Sequence, residues 1–484
     1  MQNALRPSLS FILLTVIGFA LYLPGFFTIP PVDRDEARFA QSSKQMIETG
    51  NYLDIRFQGD VRYKKPIGIY WLQTAATRIL GTPPYNQIWT YRIPSLLGAI
   101  ASLWLMYLIG RTLVSPAVGF GAALLLASSL ILPVEARLAK TDAMLLAMTL
   151  LAMWPLAKAY KNQTQSSWVD AGLFWLAIAV GILIKGPIIL MVVGLAILSL
   201  CILQKSPKLF LQLRPVSGIA IVGLCVAPWL IAITLQSHGL FWQESVGHDM
   251  LGKVASGQEA HDLPPGTYVS LLLVLFSPAI IAVVRGLIYG WRNRADRVTQ
   301  FLLAWLVPSW LIFEIVPTKL PHYTLPLYPA ISLLAAIATS KLNFSDRRLR
   351  LAFAIPVAIA FALNVEVFGF VVPHLENFWL SRELQQTLAS HHLQDRRLYV
   401  ASYAEPSVVF LNGTRTQLFA EGTDAVDALV RDPRAVVAIA SEEQTEFWDD
   451  QKQRHLRLTK IADINGFNLG KGRAENIKLY TEEP

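Results

Sequence analysis

The sequence predicts an all-α polytopic membrane bundle of about eleven to thirteen transmembrane helices, followed by a C-terminal soluble α/β domain. Three observations lead there. Of 484 residues, 53% are hydrophobic and 16% are charged, where an ordinary soluble protein carries about 25% charged residues. The charge is also uneven: residues 1–373 hold 29 basic and 17 acidic residues, and residues 374–484 hold 13 and 17. Finally, apolar runs of about 20 residues, the length that crosses a bilayer, recur along the first part. The composition break near Pro373 and His374 therefore separates a membrane domain, 1–373, from a soluble domain, 374–484.

The same arithmetic excludes a disordered chain. Two cysteines, Cys201 and Cys225, exclude a disulfide scaffold and a multi-cysteine zinc module. The net charge of +8 is assigned to cations flanking membrane spans, so membrane lipids rather than nucleic acid are the expected surroundings.

Candidate spans run over 9–29, 91–110, 117–133, 143–160, 168–184, 187–204, 216–235, 268–286, 299–316, 324–340 and 351–371. The first is longer than the apolar core of a secretory signal and no small-x-small cleavage site follows it, so it is expected to be retained. A cytoplasmic N-terminus places Arg111, Lys158, Lys161, Lys205, Arg292, Arg294 and Arg348 in inside loops, as the positive-inside rule requires. The periplasmic face then receives 30–90, 134–142, 185–187, 237–267, 317–322 and the soluble domain. The expected location is a bacterial inner membrane, with active site and C-terminal domain on the periplasmic side.

The loop 30–90 carries the first candidate chemistry. Asp33-Arg34-Asp35-Glu36 opens a helical pattern reaching about Thr49, with Asp35, Arg38, Ser42 and Gln45 on one face and Ala37, Ala40 and Ile47 on another. This reads as an amphipathic helix at the membrane surface with an acidic end in water. Asp33 and Glu36 have the spacing of a capping box. That cap does not need Asp35, which leaves its carboxylate available for chemistry. Next, Tyr63-Lys64-Lys65-Pro66 precedes Tyr70-Trp71; its lysines read either as snorkelling interfacial cations or as anion contacts.

Other helix ends repeat the theme of a charge beside an apolar run: Arg137 and Asp142 before the fourth span, Lys185-Gly186-Pro187, and Lys319 with His322 and Tyr323. Ionisable groups at membrane depth are costly and are usually kept for a site. A structural ion pair is the alternative for Asp142. Cations and carboxylates gathered on one face suit an anionic, lipid-borne substrate with a carboxylate for acid–base work. The loop 237–267 adds His238, His248, Asp249, Lys253, Glu259, His261 and Asp262. Their spacing fits no closed zinc motif. His248 and Lys253 are read as phosphate contacts, and a divalent metal there is the alternative.

Asp35-Glu36-Ala37-Arg38-Phe39-Ala40, Met46 to Asn51, Lys65-Pro66 and Tyr70-Trp71 resemble the first outer loop of a family of membrane glycosyltransferases, the aminoarabinose transferase and protein O-mannosyltransferase type. Arg137 to Leu145, Lys185-Gly186-Pro187, Lys319 to Pro326 and Tyr403 to Ser407 extend the similarity along the chain. The resemblance implies a GT-C fold with interfacial helices in the first outer loop, a polyprenyl-phosphate sugar donor, and a lipid or protein acceptor. It implies Asp35 as the catalytic carboxylate and Lys65 as a phosphate contact. Glu36, Arg38, Arg137, Asp142, Lys185, His248, Lys253, Lys319, His322 and Tyr323 are the further substrate-binding candidates. The aminoarabinose branch usually carries a glutamate where this chain has Lys64, so no metal is assigned there.

In the soluble domain, Arg397 to Ala401 and Ala435 to Ala440 read as strands, and 406–412, 423–431 and 442–452 as helices. The functional expectation is transfer of a sugar from polyprenyl phosphate to an envelope acceptor, first lipid A or another glycolipid, second a protein hydroxyl. A transporter or flippase of lipid-linked sugars is the alternative from another class. Transporters place polar sites at the bilayer midplane and often show repeated halves, whereas here the charges cluster at one face.

Overall fold

The computed structural model describes residues 6–252, 263–342 and 345–482. Lys253, Glu259, His261 and Asp262 lie outside the described residues. Among those described, seven helices are long and apolar enough to cross a membrane: Ile88–Leu113, Asp142–Asn162, Trp168–Lys185, Pro215–Gln236, Arg297–Ile315, Pro321–Ser340 and Arg347–His374. Three shorter apolar helices, Pro7–Tyr22, Pro116–Ala127 and Ile188–Leu203, accompany them. The expected span at 268–286 is broken: Thr267–Leu275 ends in a turn, and Ile280–Arg292 begins after Pro278. Proline lacks the N–H and the backbone freedom to continue a helix, which accounts for the break.

The chain divides into two compact units, 1–26 with 62–72 and 92–367, and 27–61 with 73–91 and 368–484. Chain order does not separate them. Most of the first loop clusters with the C-terminal residues, and Arg62 to Leu72 with the helices.

In the first unit, small residues set the helix crossings. A Cβ on Gly286 would stand 2.4 Å from the backbone nitrogen of Ala335, and one on Gly119 2.5 Å from the carbonyl of Tyr107. Such close approach is the usual basis of helix association in lipid, where hydrophobicity alone gives no drive. Large apolar side chains point outward instead: Val216 is 86% exposed and Leu224 77%, as lipid-facing positions of a bundle would be.

The second unit holds the Asp35–Thr49 helix, a short hairpin of Arg56–Phe57 with Asp60–Val61, and a five-stranded sheet. The strand order is Gln417–Phe419, Leu398–Ala401, Val436–Ala440, Arg473–Glu482, Leu458–Asn468. The first three are parallel and the last two antiparallel. Alternate residues of a strand face opposite sides. Accordingly Leu398 and Val400 join one core with Leu380, Leu384 and Ile477, while Tyr399 and Ala401 join another with Val426, Leu429 and Phe447. Helices cover both faces, the arrangement expected where parallel strands read as continuous apolar runs.

The Asp35–Thr49 helix forms where expected, but not as a surface helix. Gln41, Ser42, Ser43, Lys44 and Gln45 are buried, because the polar face has hydrogen-bonding partners within its own unit. Ser43 Oγ donates to Gln73 Oε1 at 2.7 Å, and Gln45 Nε2 to the Gln58 carbonyl at 3.0 Å. Nor is there a capping box. Glu36 Oε2 accepts from the backbone N–H of Val32 at 2.9 Å, and Asp33 Oδ1 accepts from that of Ser407 at 3.0 Å.

Candidate functional site

Three segments meet in the first unit. The Asp142–Asn162 helix opens on an acid, Asp142, where unpaired N–H groups and the helix dipole favour a carboxylate. The Trp168–Lys185 helix closes on a cation, Lys185, where the dipole favours an ammonium. Gly186 then leaves the helix at φ 73° and ψ −147°, a conformation available to glycine without strain. The 3₁₀ helix Pro321–Leu327 carries His322 and Tyr323.

These ends converge. Lys185 Nζ donates to Asp142 Oδ1 and lies 5.3 Å from the centre of the Tyr323 ring. His322 Nε2 is 3.9 Å from Asp142 Oδ2, and its Nδ1 is 3.7 Å from Glu135 Oε1. Lys140 Nζ donates to the same Glu135 oxygen at 3.4 Å and lies 3.5 Å from His322 Nδ1. Glu135 and Asp142 are 2% and 3% exposed, so both carboxylates depend on these partners rather than on water. Burial pushes the Glu135 carboxyl above the usual carboxylate range, against the pull of Lys140.

Glu135, Asp142 and His322 also place one ligand atom each within 4.8 Å of one another, a spacing that could suit a divalent cation. Yet Lys140 and Lys185 already hold the two carboxylates. A metal would have to displace an ammonium.

Lys65 Nζ is 2.5 Å from Asp249 Oδ2. Asp249 sits on the π-helical turn Gln243–Leu251, and its neighbour His248 is 78% exposed with Nδ1 3.5 Å from Glu244. Two candidate cations turn to the backbone instead. Arg137 donates to the carbonyls of Leu21, Pro24 and Pro133. Lys319 donates to those of Leu263 at 2.7 Å and Val316 at 2.8 Å, the latter at the C-cap of the Arg297–Ile315 helix. Their donors tie segments of the unit together. Lys140, beside Glu135 and His322, is a further cation of the cluster that the sequence analysis did not select. Glu135 and Asp249 were likewise not singled out. The available signal was an acid or base within a few residues of an apolar helix end.

In the second unit, Asp35 is the first residue of the Asp35–Thr49 helix and is exposed. Arg38, one turn on, is half-buried, and Glu36 is buried on the Val32 N–H.

Residues 64–231 match the model of the dolichyl-phosphate-mannose-protein mannosyltransferase family. An undecaprenyl phosphate-α-4-amino-4-deoxy-L-arabinose arabinosyl transferase of Pectobacterium carotovorum is 27% identical over 360 residues, covering 70% of this chain and 62% of the relative. The corresponding protein of Yersinia enterocolitica is 29% identical, covering 70% and 59%. The matched stretch thus spans about three-fifths of these relatives' length. The fold is similar to ArnT of Cupriavidus metallidurans, solved with undecaprenyl phosphate bound: TM-score 0.77, 14% identity, 97% of each chain. It is also similar to the oligosaccharyltransferase of Archaeoglobus fulgidus, with TM-score 0.55, 12% identity, 90% of this chain and 69% of the other. The chain shares the fold of these structures and, among the described residues, carries seven helices long and apolar enough to cross a membrane.

Proposed function

We propose that the protein is a membrane glycosyltransferase that moves a sugar from a polyprenyl-phosphate donor to an envelope acceptor, with a lipid A-type glycolipid as first candidate and a protein hydroxyl as second. One observation carries the reading. Three segments that resemble the family in sequence, 137–145, 185–187 and 319–326, supply the buried cluster of Asp142, Lys185 and His322. The arabinosyl transferases among the relatives support an aminoarabinose-like sugar.

The reaction is a displacement at the anomeric carbon. An acceptor oxygen forms the new bond, and the carbon–oxygen bond to the phosphate breaks. Polyprenyl phosphate leaves with the electron pair. Lys185, Lys140 and His322 would stabilise the charge growing on that phosphate, an electrostatic effect that is large where water is excluded. Lys65, held by Asp249 until substrate arrives, would contact it as a charge-assisted donor. Asp35 would deprotonate or orient the acceptor. If the acceptor is itself a phosphate, it needs no deprotonation, and orientation is the whole of that role.

The basic short loops support a periplasmic site. Mass spectrometry of envelope lipids tests the reading in cells. A strain lacking the gene should lose one sugar-modified species, and the gene should restore it. An unchanged envelope glycolipid and glycoprotein profile would overturn the assignment.

A further inference from the structure

The C-terminal domain has no role in the chemistry above, yet within its unit it grips the helix that begins at Asp35. The grip centres on the short helix Pro406–Asn412. Its N-cap residue, Glu405, makes no side-chain cap. The N–H of Ser407 is instead capped by Asp33, a residue 374 positions away, at 3.0 Å. At the other end, Lys44 Nζ donates to the carbonyl of Phe410 at 3.0 Å, one of the last-turn carbonyls a helix cannot satisfy itself. An acid at the N-terminus and an ammonium at the C-terminus both match the helix dipole. Lys44 is 1% exposed, and a buried ammonium without such partners would be strongly unfavourable. Just beyond the helix, Thr414 Oγ1 accepts from Gln41 Nε2 at 2.8 Å and donates to Glu48 Oε2 at 2.6 Å. Gln41, Lys44 and Glu48 lie on one face of the Asp35–Thr49 helix by their spacing. That face is therefore tied to Phe410 and Thr414.

The backbone between grip and carboxylate is also fixed. Arg34 has φ 65° and ψ −105°, a conformation that L-residues other than glycine rarely adopt. Strained residues persist where their surroundings over-determine them. Here Asp33 is anchored on Ser407 before Arg34, and Glu36 on Val32 after it. Asp35 lies between the two anchors.

We propose that the C-terminal domain is a positioning device for the transfer reaction: its Pro406–Asn412 helix, capped by Asp33 and Lys44, fixes the Asp35–Thr49 helix and so the pose of the Asp35 carboxylate. This rests on the reading of Asp35 as the acceptor-side group. Asp33 and Lys44 are positioning residues; neither touches substrate. The raised affinity of Asp33 for protons, caused by burial and then by Glu405, agrees with a carboxylate committed to the protein interior.

Two readouts on the full-length protein in nanodiscs test the proposal. Asp33→Ala should raise hydrogen exchange of the amides of 36–42 and of Ser407 by about tenfold or more, the mark of local opening. It should lower kcat for sugar transfer by about tenfold while leaving the donor KM within about twofold. Asp33→Asn, whose amide oxygen can still accept from Ser407, should restore both. Thr414→Val, which deletes a hydroxyl without removing a charge, is the milder variant and should show the same split at smaller size. Unchanged exchange in both Asp33→Ala and Thr414→Val would show that there is no grip. Raised exchange with unchanged kcat would show a structural contact without positioning, and would equally overturn the proposal. A wild-type protein without transferase activity would instead refute the reading of Asp35 on which the proposal rests, while its exchange data would still report the grip.

Discussion

Removing Lys185 should injure the protein twice, and the two injuries can be separated. Its ammonium and the Asp142 carboxylate are both buried, with 9% and 3% of the side chains exposed. Breaking a buried pair by deleting one partner typically costs about 3–5 kcal/mol, because the other charge is left uncompensated. Asp142 keeps His322 at 3.9 Å, and a protonated imidazole would offset part of the loss. The lower end is therefore expected: about 3 kcal/mol of stability for Lys185→Met, or roughly a hundredfold in the folding equilibrium. Neutralising the orphan as well, in Lys185→Met with Asp142→Asn, should recover most of it. Thermal unfolding in one detergent, compared across the two single variants and the double variant, gives the coupling. Turnover should behave differently, since the double variant restores the charge balance but not the cation. It should remain at least about a hundredfold slower than wild type. A double variant that recovers turnover along with stability would show that Lys185 is a structural ion only. Additive stability losses would show that the pair is not coupled at all.

Asp35→Asn should lower turnover by about 10²–10⁴-fold with expression and donor binding retained, while Glu36→Gln, whose amide oxygen can still accept from the Val32 N–H, should cost less; equal losses would remove the distinction between them. Lys65→Met should weaken donor binding by about 1–3 kcal/mol, read as the Kd of a polyprenyl phosphate by calorimetry; an unchanged Kd would free Lys65 of that role. Packing around Asp33 should depend on pH. Its carboxyl is raised from 3.8 to about 7 by burial and by Glu405, opposed by Ser407 and Arg38. The packed state thus holds the proton more tightly than the unfolded one, and its stability is present at low pH and lost as pH rises through about 7. The protection of the Ser407 amide, its exchange rate relative to the base-catalysed intrinsic rate, should fall between pH 5 and about 8 in wild type but not in Asp33→Asn; constant protection in wild type would contradict the assignment. For topology, Asp60→Cys and Asp395→Cys, placed in a chain without Cys201 and Cys225, should react with an impermeant thiol reagent in intact spheroplasts. Lys208→Cys should react only after lysis; the reverse pattern would invert the orientation.

What could be read from the sequence followed what local pattern encodes. Long apolar runs marked the helices of the membrane unit, but 268–286 and 117–133 are each broken in two and the first run leaves its helix at Tyr22, because hydropathy continues across such breaks. Leu398–Ala401 and Val436–Ala440 were legible because a strand buried on both faces is apolar throughout. Leu458–Asn468 and Arg473–Glu482 were not, since their mixed polarity gives neither a run nor a clean alternation. Asp142, Lys185 and His322 stood out as charges at apolar helix ends, and the fold brings them together. Arg137 looked the same in sequence, but nothing local reveals that its guanidinium would find three carbonyls. The bond from Asp33 to Ser407 spans 374 positions. The local rule for an acid before a helix assigned Asp33 to the wrong helix.

Release of free polyprenyl phosphate tests the central claim most directly. The full-length protein would be reconstituted in vesicles containing an undecaprenyl-phosphate-linked aminopentose, with lipid A added, and both lipid products followed by mass spectrometry. Free undecaprenyl phosphate and sugar-modified lipid A should appear together in equal amounts, and Asp35→Asn should slow the appearance of both by about 10²–10⁴-fold. Intact donor crossing the bilayer, with neither product formed, would contradict that claim and make the protein a transporter of lipid-linked sugar.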